Sequence, residues 1–276
     1  MTHPFPGGTS VSRLSVYDWP TTDGAGLVGG GTPHLHLASD EGYVVLSGTG
    51  SVQTLGPDGY AEHPLSAGTL LWFQPGVVHR LVNDGELEIL VVMSNAGLPE
   101  AGDAVMTFPA DVLADAERYA AAATLPALPA LPALPPGAIA TVPSSDAATT
   151  GPATAGKVAA DMVTADTMTA DAARARRDLA VEGFTVLRER VLAEGPDVPL
   201  GELYDAAARL VRDKAPGWQV TWDSTVRASA DRTAGALAAL AVGTAPHLRD
   251  AATASTQARP GPPRYGMCGR LRTWAL

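Results

Sequence analysis

The sequence predicts a small, mainly β barrel or sandwich over residues 1–108, followed by a helical region. Three observations predict it. Before about residue 108 short apolar runs alternate with turn signals. A proline-spaced segment then interrupts the chain. From about Asp161 the apolar residues recur at helical spacing. The implied organisation is a barrel at 1–108, a helix plus Pro/Ala-rich linker at 109–158, an α-helical region at 159–262 and a C-terminal strand at 263–276.

Six runs in the first part have strand character: Val11 to Tyr17, Tyr43 to Ser47, Ser51 to Leu55, Thr69 to Phe73, Val77 to Val82 and Glu86 to Met93. Gly56-Pro57-Asp58-Gly59 and Asn83-Asp84-Gly85 are expected as hairpin turns. Pro75-Gly76 suits a turn whose second central residue needs positive φ.

Asp111 to Ala123 is Ala-rich and predicts one helix. Leu125-Pro126-Ala127 then repeats through Leu134-Pro135-Pro136. Proline at every third position favours polyproline II and forbids a regular helix, so this run is expected as a semi-rigid spacer. It lacks flanking basic residues, which favours a linker over a ligand for proline-binding domains. In the helical part Ala180, Phe184, Leu187 and Val191 share one face, as do Leu200, Leu203, Ala207 and Leu210. These stripes predict core contacts, and Ala234 to Val242 continues in the same style. Arg174, Arg176 and Arg177 are expected on a solvated helix face. The tail, with Tyr265, Met267, Leu271 and Trp274, is expected to return and pair with the barrel sheet.

Bulk properties narrow the function. The formal charge is −10 and no long basic run exists, which argues against nucleic acid and anionic membrane as partners. No apolar stretch approaches the roughly 20 residues of a membrane span. Cys268 is the single cysteine, so no intrachain disulfide is possible, and nothing obvious in the sequence activates its thiol. With no signal-peptide pattern at the N-terminus, the expectation is a cytoplasmic protein.

The chemistry concentrates in four residues. His34 and His36 stand two apart in Pro33-His34-Leu35-His36-Leu37, and side chains two apart on a strand share a face. Glu41 leads into the next strand, and His79 opens another after Pro75-Gly76. Three imidazoles and a carboxylate suit one first-row divalent ion with coordination positions left open. His3, His63 and His247 lack partners at suggestive spacing and are expected at the surface.

Here the sequence resembles a family. The stretch Gly29-Gly30-Gly31-Thr32-Pro33-His34-Leu35-His36-Leu37-Ala38-Ser39-Asp40-Glu41, followed by Gly48, is similar to the first cupin motif. Gly68 through Pro75-Gly76-Val77-Val78-His79-Arg80-Leu81-Val82-Asn83 is similar to the second, with the glycine-to-proline interval one residue longer than the family's pattern. The resemblance covers about residues 10–95 and one pair of motifs. It implies a single cupin jelly-roll barrel with His34, His36, Glu41 and His79 as ligands of one divalent metal ion (Fe, Mn, Ni or Zn), and a homodimer. Alternation from Glu41 carries Tyr43 and Val45 inward. Tyr43, Gln53 and Phe73 are the expected substrate-pocket residues, and Arg80 is expected to point away from the site.

Such a site suits dioxygenation, or isomerisation of a sugar or hydroxy acid, in a metal-dependent enzyme acting on a small oxygen-rich metabolite. The alternative is a non-catalytic small-molecule-binding or sensing protein whose helical part serves interaction. The sequence singles out no catalytic residue and no organic cofactor.

Overall fold

A computed structural model describes residues 4–126 and 152–276, with 152–167 described as backbone only. Most of the predicted proline spacer falls at 127–151, and His3 near the N-terminus, so both lie outside the described residues. The strands are β1 (Ser10–Val16), β2 (Gly29–Gly30), β3 (His34–His36), β4 (Glu41–Gly56), β5 (Gly59–Ser66), β6 (Leu70–Phe73), β7 (Val78–Met93), β8 (Ala104–Met106), β9 (Arg264–Tyr265) and β10 (Gly269–Thr273). The α-helices are α1 (Ala110–Leu113), α2 (Ala116–Ala123), α3 (Pro152–Glu194), α4 (Asp197–Val211), α5 (Ala215–Trp222) and α6 (Ala228–Ala241).

All ten strands join one antiparallel sheet folded on itself, with the path β5-β4-β7-β1-β10-β9; β6 pairs with β4, β2 and β3 pair with β7, and β8 pairs with β3. The barrel is built on the long pair β4 and β7. Near Glu41 to Val45, β4 lies between β6 and β7; near Thr49 to Leu55 it lies between β5 and β7. Each long strand therefore serves both layers.

That arrangement corrects one expectation. Asn83-Asp84-Gly85 is no hairpin turn, because β7 runs through it. The register instead shifts between Val45 and Gly50, where the paired strands bend together. Gly48 takes φ +77 there, and a Cβ on it would meet Glu86 O at 2.2 Å. The turn-like side chain of Asn83 serves the bend: Oδ1 accepts from the N–H groups of Gly85 and Leu87, and Nδ2 donates to Val16 O and Tyr17 O. The Gly56–Gly59 hairpin forms as expected.

The inward faces of both layers bury Leu14, Val16, Tyr43, Val45, Val52, Phe73, Leu81, Ile89, Val91 and Met93 as one core. The outward face of the β3/β4/β7 layer is covered by the helices. Leu35, Leu55, Val78 and Val105 pack there against Phe184, Val191, Leu200, Leu203, Ala207 and Trp218. The two predicted helical stripes therefore belong to a core shared with the barrel. Burying an aromatic ring such as Phe184 stabilises by about 3 kcal/mol. The crossing of α3 over the chain is close: a Cβ on Gly183 would lie 2.1 Å from Thr107 O. The Thr107 hydroxyl also donates to Ala180 O in the same helix.

Four further expectations change. The Asp111–Ala123 helix is two helices, because Asp115 turns extended and caps α2 by accepting from the N–H groups of Glu117 and Arg118. The long helix α3 starts at Pro152, inside the predicted linker, consistent with proline's tolerance in a first helical turn. Ala234 to Val242 is not core, since Leu237, Leu240 and Val242 are exposed. Arg176 and Arg177 are buried, not solvated. Arg177 donates to Trp19 O, Pro20 O and Gly30 O, and Arg176 to Ala123 O and Gly266 O.

The tail does return. β10 pairs antiparallel with β1 from Ser12↔Thr273 to Val16↔Gly269, which places Leu271 opposite Leu14. Among the described residues no helix is long and apolar enough to cross a membrane.

Candidate metal centre

β3 brings His34 and His36 to one face, and the register sets His34 directly opposite His79 at the start of β7. The Pro75-Gly76 turn delivers His79: Gly76 has φ +91, Val77 N–H donates to Gln74 O, and Gly76 N–H donates to His36 O. Glu41 opens β4 opposite Phe73 and Met93. One ligand-type atom from each of His34, His36, Glu41 and His79 lies within 4.8 Å of all the others, and the four residues are buried. This group can hold a metal ion.

The surroundings fix how each ring presents itself. His34 Nδ1 is 2.8 Å from Thr32 O, His79 Nδ1 is 3.1 Å from Val77 O, and His36 Nδ1 is 2.8 Å from Asp103 Oδ1. An acceptor at each Nδ1 favours the proton there and turns each Nε2 lone pair inward, the arrangement of metal-binding histidines. The Nε2 atoms of His34 and His79 are 3.0 Å apart. Glu41 Oε2 lies 3.0 Å from His79 Nε2 and 3.2 Å from His36 Nε2. That oxygen is buried with no donor hydrogen suitably placed for it. Converging lone pairs and a carboxylate require positive charge at their centre, supplied by ring protons or by a cation. The donor set therefore fits a divalent metal.

Electrostatics follow the same logic. Burial, with His79 and His36 adding to it, holds His34 well below the usual imidazole range. Burial also pulls His36 down, but the Asp103 hydrogen bond and the nearby Glu41 carboxylate outweigh that and raise it to about 10. Burial pushes Glu41 up, yet His79 and His36 hold it well below the usual carboxylate range.

The comparisons with known proteins bear on the barrel. Residues 27–93 match the family model described as the cupin domain. This region is a cupin domain. No curated protein gives a significant match to the chain. Among solved structures, Streptomyces Pac13, described as a nucleoside dehydratase, aligns at 19% identity over 33% of this chain and 62% of its own, with TM-score 0.24. Tomato (Solanum lycopersicum) vicilin aligns at 20% over 32% of this chain and 23% of its own, TM-score 0.26. The capsular polysaccharide assembling protein CapF of Staphylococcus aureus aligns at 19% over 34% and 25%, TM-score 0.23. The chain thus spans less than two thirds of each.

Within the cupin domain the remaining predicted residues separate. Phe73 stacks on His79 with ring centroids 4.2 Å apart, and Tyr43 meets Phe73 edge-on at 5.3 Å. Both belong to the core behind the ligands. Burial and the Glu41 charge keep the Tyr43 phenol protonated well above its ordinary range. Gln53 is elsewhere. It pairs with Arg80, not His79, and so points to the opposite face, beside Glu62 and the Arg80 guanidinium. Arg80 points away from the site as expected and is fully buried in an ion pair with Asp23.

A cavity of about 730 Å³ opens on His34, His36 and Glu41. Its other walls come from β1, from Met93 and from the tail, including Arg264, Tyr265, Met267, Cys268 and Leu271. Sequence reasoning missed two parts of this site. Asp103 stands 67 residues from the His36 it holds and belongs to no motif. The tail wall comes from the far end of the chain; its return to the barrel sheet is expected from the sequence, its place beside the ligands is not. Cys268 is buried beside His34 Nδ1 at 3.9 Å, and burial, with Glu41 adding to it, pushes its thiol up, so it is held as the neutral thiol.

Proposed function

We propose that the chain is a metal-dependent enzyme acting on a small oxygen-rich metabolite, of the dioxygenase or the sugar or hydroxy-acid isomerase type. The observation that carries this reading is the convergence of four buried ligand-type side chains, three of which line an open cavity. The proposed occupant is one divalent ion, iron, manganese, nickel or zinc, held by His34, His36, Glu41 and His79. Such an ion supplies Lewis-acid polarisation of a substrate oxygen, or redox chemistry with dioxygen.

The chain's own groups do the rest. Asp103, Thr32 O and Val77 O keep the Nδ1 protons in place and the Nε2 atoms forward. Phe73 fixes the plane of the His79 ring, with Tyr43 packed behind it. Leu14, Met93, Met267 and Leu271 give the cavity an apolar wall that limits water beside the ligands. A homodimer is the proposed assembly, supported by the exposure of Leu46, Leu70 and Trp72; a monomer by light scattering at micromolar concentration contradicts it. A cytoplasmic location is proposed on the single, unpaired Cys268.

A second reading is a small-molecule-binding or sensing protein. It is favoured by a separate apolar pocket of about 280 Å³ among the helices, lined by Phe108, Leu113, Val186 and Leu203 and rimmed by the Arg190–Glu202 pair, which suits an interaction region. Purified protein loaded with each metal in turn separates the two. Oxygen uptake or turnover in a sugar and hydroxy-acid panel supports the enzyme. Ligand-induced thermal stabilisation without turnover supports the sensor.

A further inference from the structure

We propose that the C-terminal tail builds an anion subsite into this cavity, and that Arg259 and Arg264 receive the carboxylate or phosphate of a small metabolite whose other end faces His34, His36 and Glu41. The proposal rests on the reading of the cavity as a ligand site.

The charge distribution carries it. The chain is acidic, at −10 overall. Beyond the metal-type cluster, however, the charged side chains lining the cavity are those of Arg259, Arg264 and Glu100. Glu100 already has a local partner, since its Oε2 accepts the Gly97 N–H at 2.9 Å. Neither arginine is paired with a carboxylate among the described residues, whereas Arg270 on the same tail pairs with Asp18 and Arg13 on the neighbouring strand pairs with Glu88. Two arginines without a carboxylate partner lining one cavity of an acidic protein give it a local positive region that attracts anions.

The backbone holds both positions. Arg264 stands opposite Leu271 in the β9/β10 pair. Arg259 N–H donates to Thr273 O at 2.8 Å, and Ala258 bridges to Trp274. β10 is itself paired with β1 over five positions. Arg176 of α3 and the Tyr17 hydroxyl both donate to Gly266 O, and the Thr32 hydroxyl to Met267 O. The tail is thus tied to the barrel, to the helical layer and to the segment that leads into His34.

The chemistry selects the ligand class. Guanidinium groups bind carboxylate and phosphate oxygens through charge-assisted, often forked hydrogen bonds. The cavity is also lined by apolar residues, among them Leu14, Met267 and Leu271. A short carbon skeleton with an oxygen donor at one end and an anionic group at the other fits both ends. A cavity of about 730 Å³ lies within the range typical of small-molecule sites. A neutral sugar or a simple phenol leaves the arginines unused.

The test is calorimetric titration of the full chain with inorganic phosphate and, separately, with succinate, with and without added divalent metal. The wild type is expected to bind at least one anion saturably even without metal. Arg259→Gln with Arg264→Gln weakens that binding about tenfold, the size expected for loss of charge-assisted contacts. Arg259→Lys with Arg264→Lys retains most of it, and metal stoichiometry is unchanged in both pairs. Phosphate alone binding assigns a phosphorylated ligand; succinate alone assigns a carboxylate. No saturable binding of either anion, or binding unaltered in the glutamine pair, overturns the proposal. Anion binding that requires metal and ignores the arginines overturns the subsite while leaving the metal reading intact. Arginine-dependent anion binding by a protein that takes up no metal does the reverse.

Discussion

His79 and Arg80 are adjacent on β7, both fully buried, and their side chains serve opposite faces of the same strand. On the inner face His79 joins His34, His36 and Glu41, and one ligand-type atom of each converges on a common point. On the outer face Arg80 donates to both Asp23 oxygens, to Thr21 Oγ1 and to Gln53 Oε1, while Arg177 of α3 donates to three backbone carbonyls nearby. The outer cluster matches its donors to acceptors within the protein, Arg80 Nε excepted. The inner cluster has acceptors in excess and opens on a cavity. Burial alone does not mark a functional site; the balance of donors and acceptors does.

The sharpest way to break this contrast is to remove a member of the outer cluster. Arg177→Leu leaves Trp19 O, Pro20 O and Gly30 O without their donor and should lower stability by about 3 kcal/mol in urea unfolding, while metal bound per folded molecule stays unchanged. If metal content falls in step with stability, the two clusters are not independent.

The inner cluster should respond to metal instead. At a free metal concentration about a hundred times Kd, binding to the native state adds about 2.7 kcal/mol to unfolding stability. The same increment should appear in Arg80→Met, measured by chemical denaturation, even though that variant starts less stable. A smaller change tests orientation: Asp103→Asn removes the carboxylate behind His36 and should weaken metal affinity about 10- to 100-fold by competition with a chelating dye. Metal-free stability is expected to move by less than about 1 kcal/mol.

The smallest effect concerns pH. Burial pushes the Asp23 carboxyl up, but hydrogen bonding and charge from Arg80 more than offset it and hold it at about 2, below its ordinary 3.8. A carboxyl depressed in the folded state contributes stability that is complete above its unfolded value and is lost as pH falls towards about 2. Asp23→Asn should therefore flatten the fall in unfolding free energy across that window. An unchanged slope argues that the pair contributes little.

Much of the barrel was legible because its signals are local. Strand alternation, the Gly56–Gly59 turn and the His34/His36 spacing each need only a few residues. The Asn83-Asp84-Gly85 reading failed because the same residues that close a hairpin also serve a bend within a long strand, and only the partner strand with Gly48 decides which. Arg176 and Arg177 looked solvated because nothing nearby in sequence shows that Trp19, Pro20, Gly30 and Gly266 carbonyls await them. Gln53 was misassigned by one position of alternation, which on a strand means the opposite face. The role of Asp103 and the tail's place beside the ligands were illegible for the same reason as those carbonyls: both depend on contacts between residues far apart in the chain.

The most direct test of the central claim is elemental analysis of the purified full chain beside the His34→Ala, His79→Ala double variant. The account predicts about one equivalent of a first-row divalent metal in the wild type and a large loss in the variant, with far-ultraviolet circular dichroism unchanged. Equal metal content in the two proteins, or a wild type that takes up no metal on incubation with iron, manganese, nickel or zinc, would contradict it.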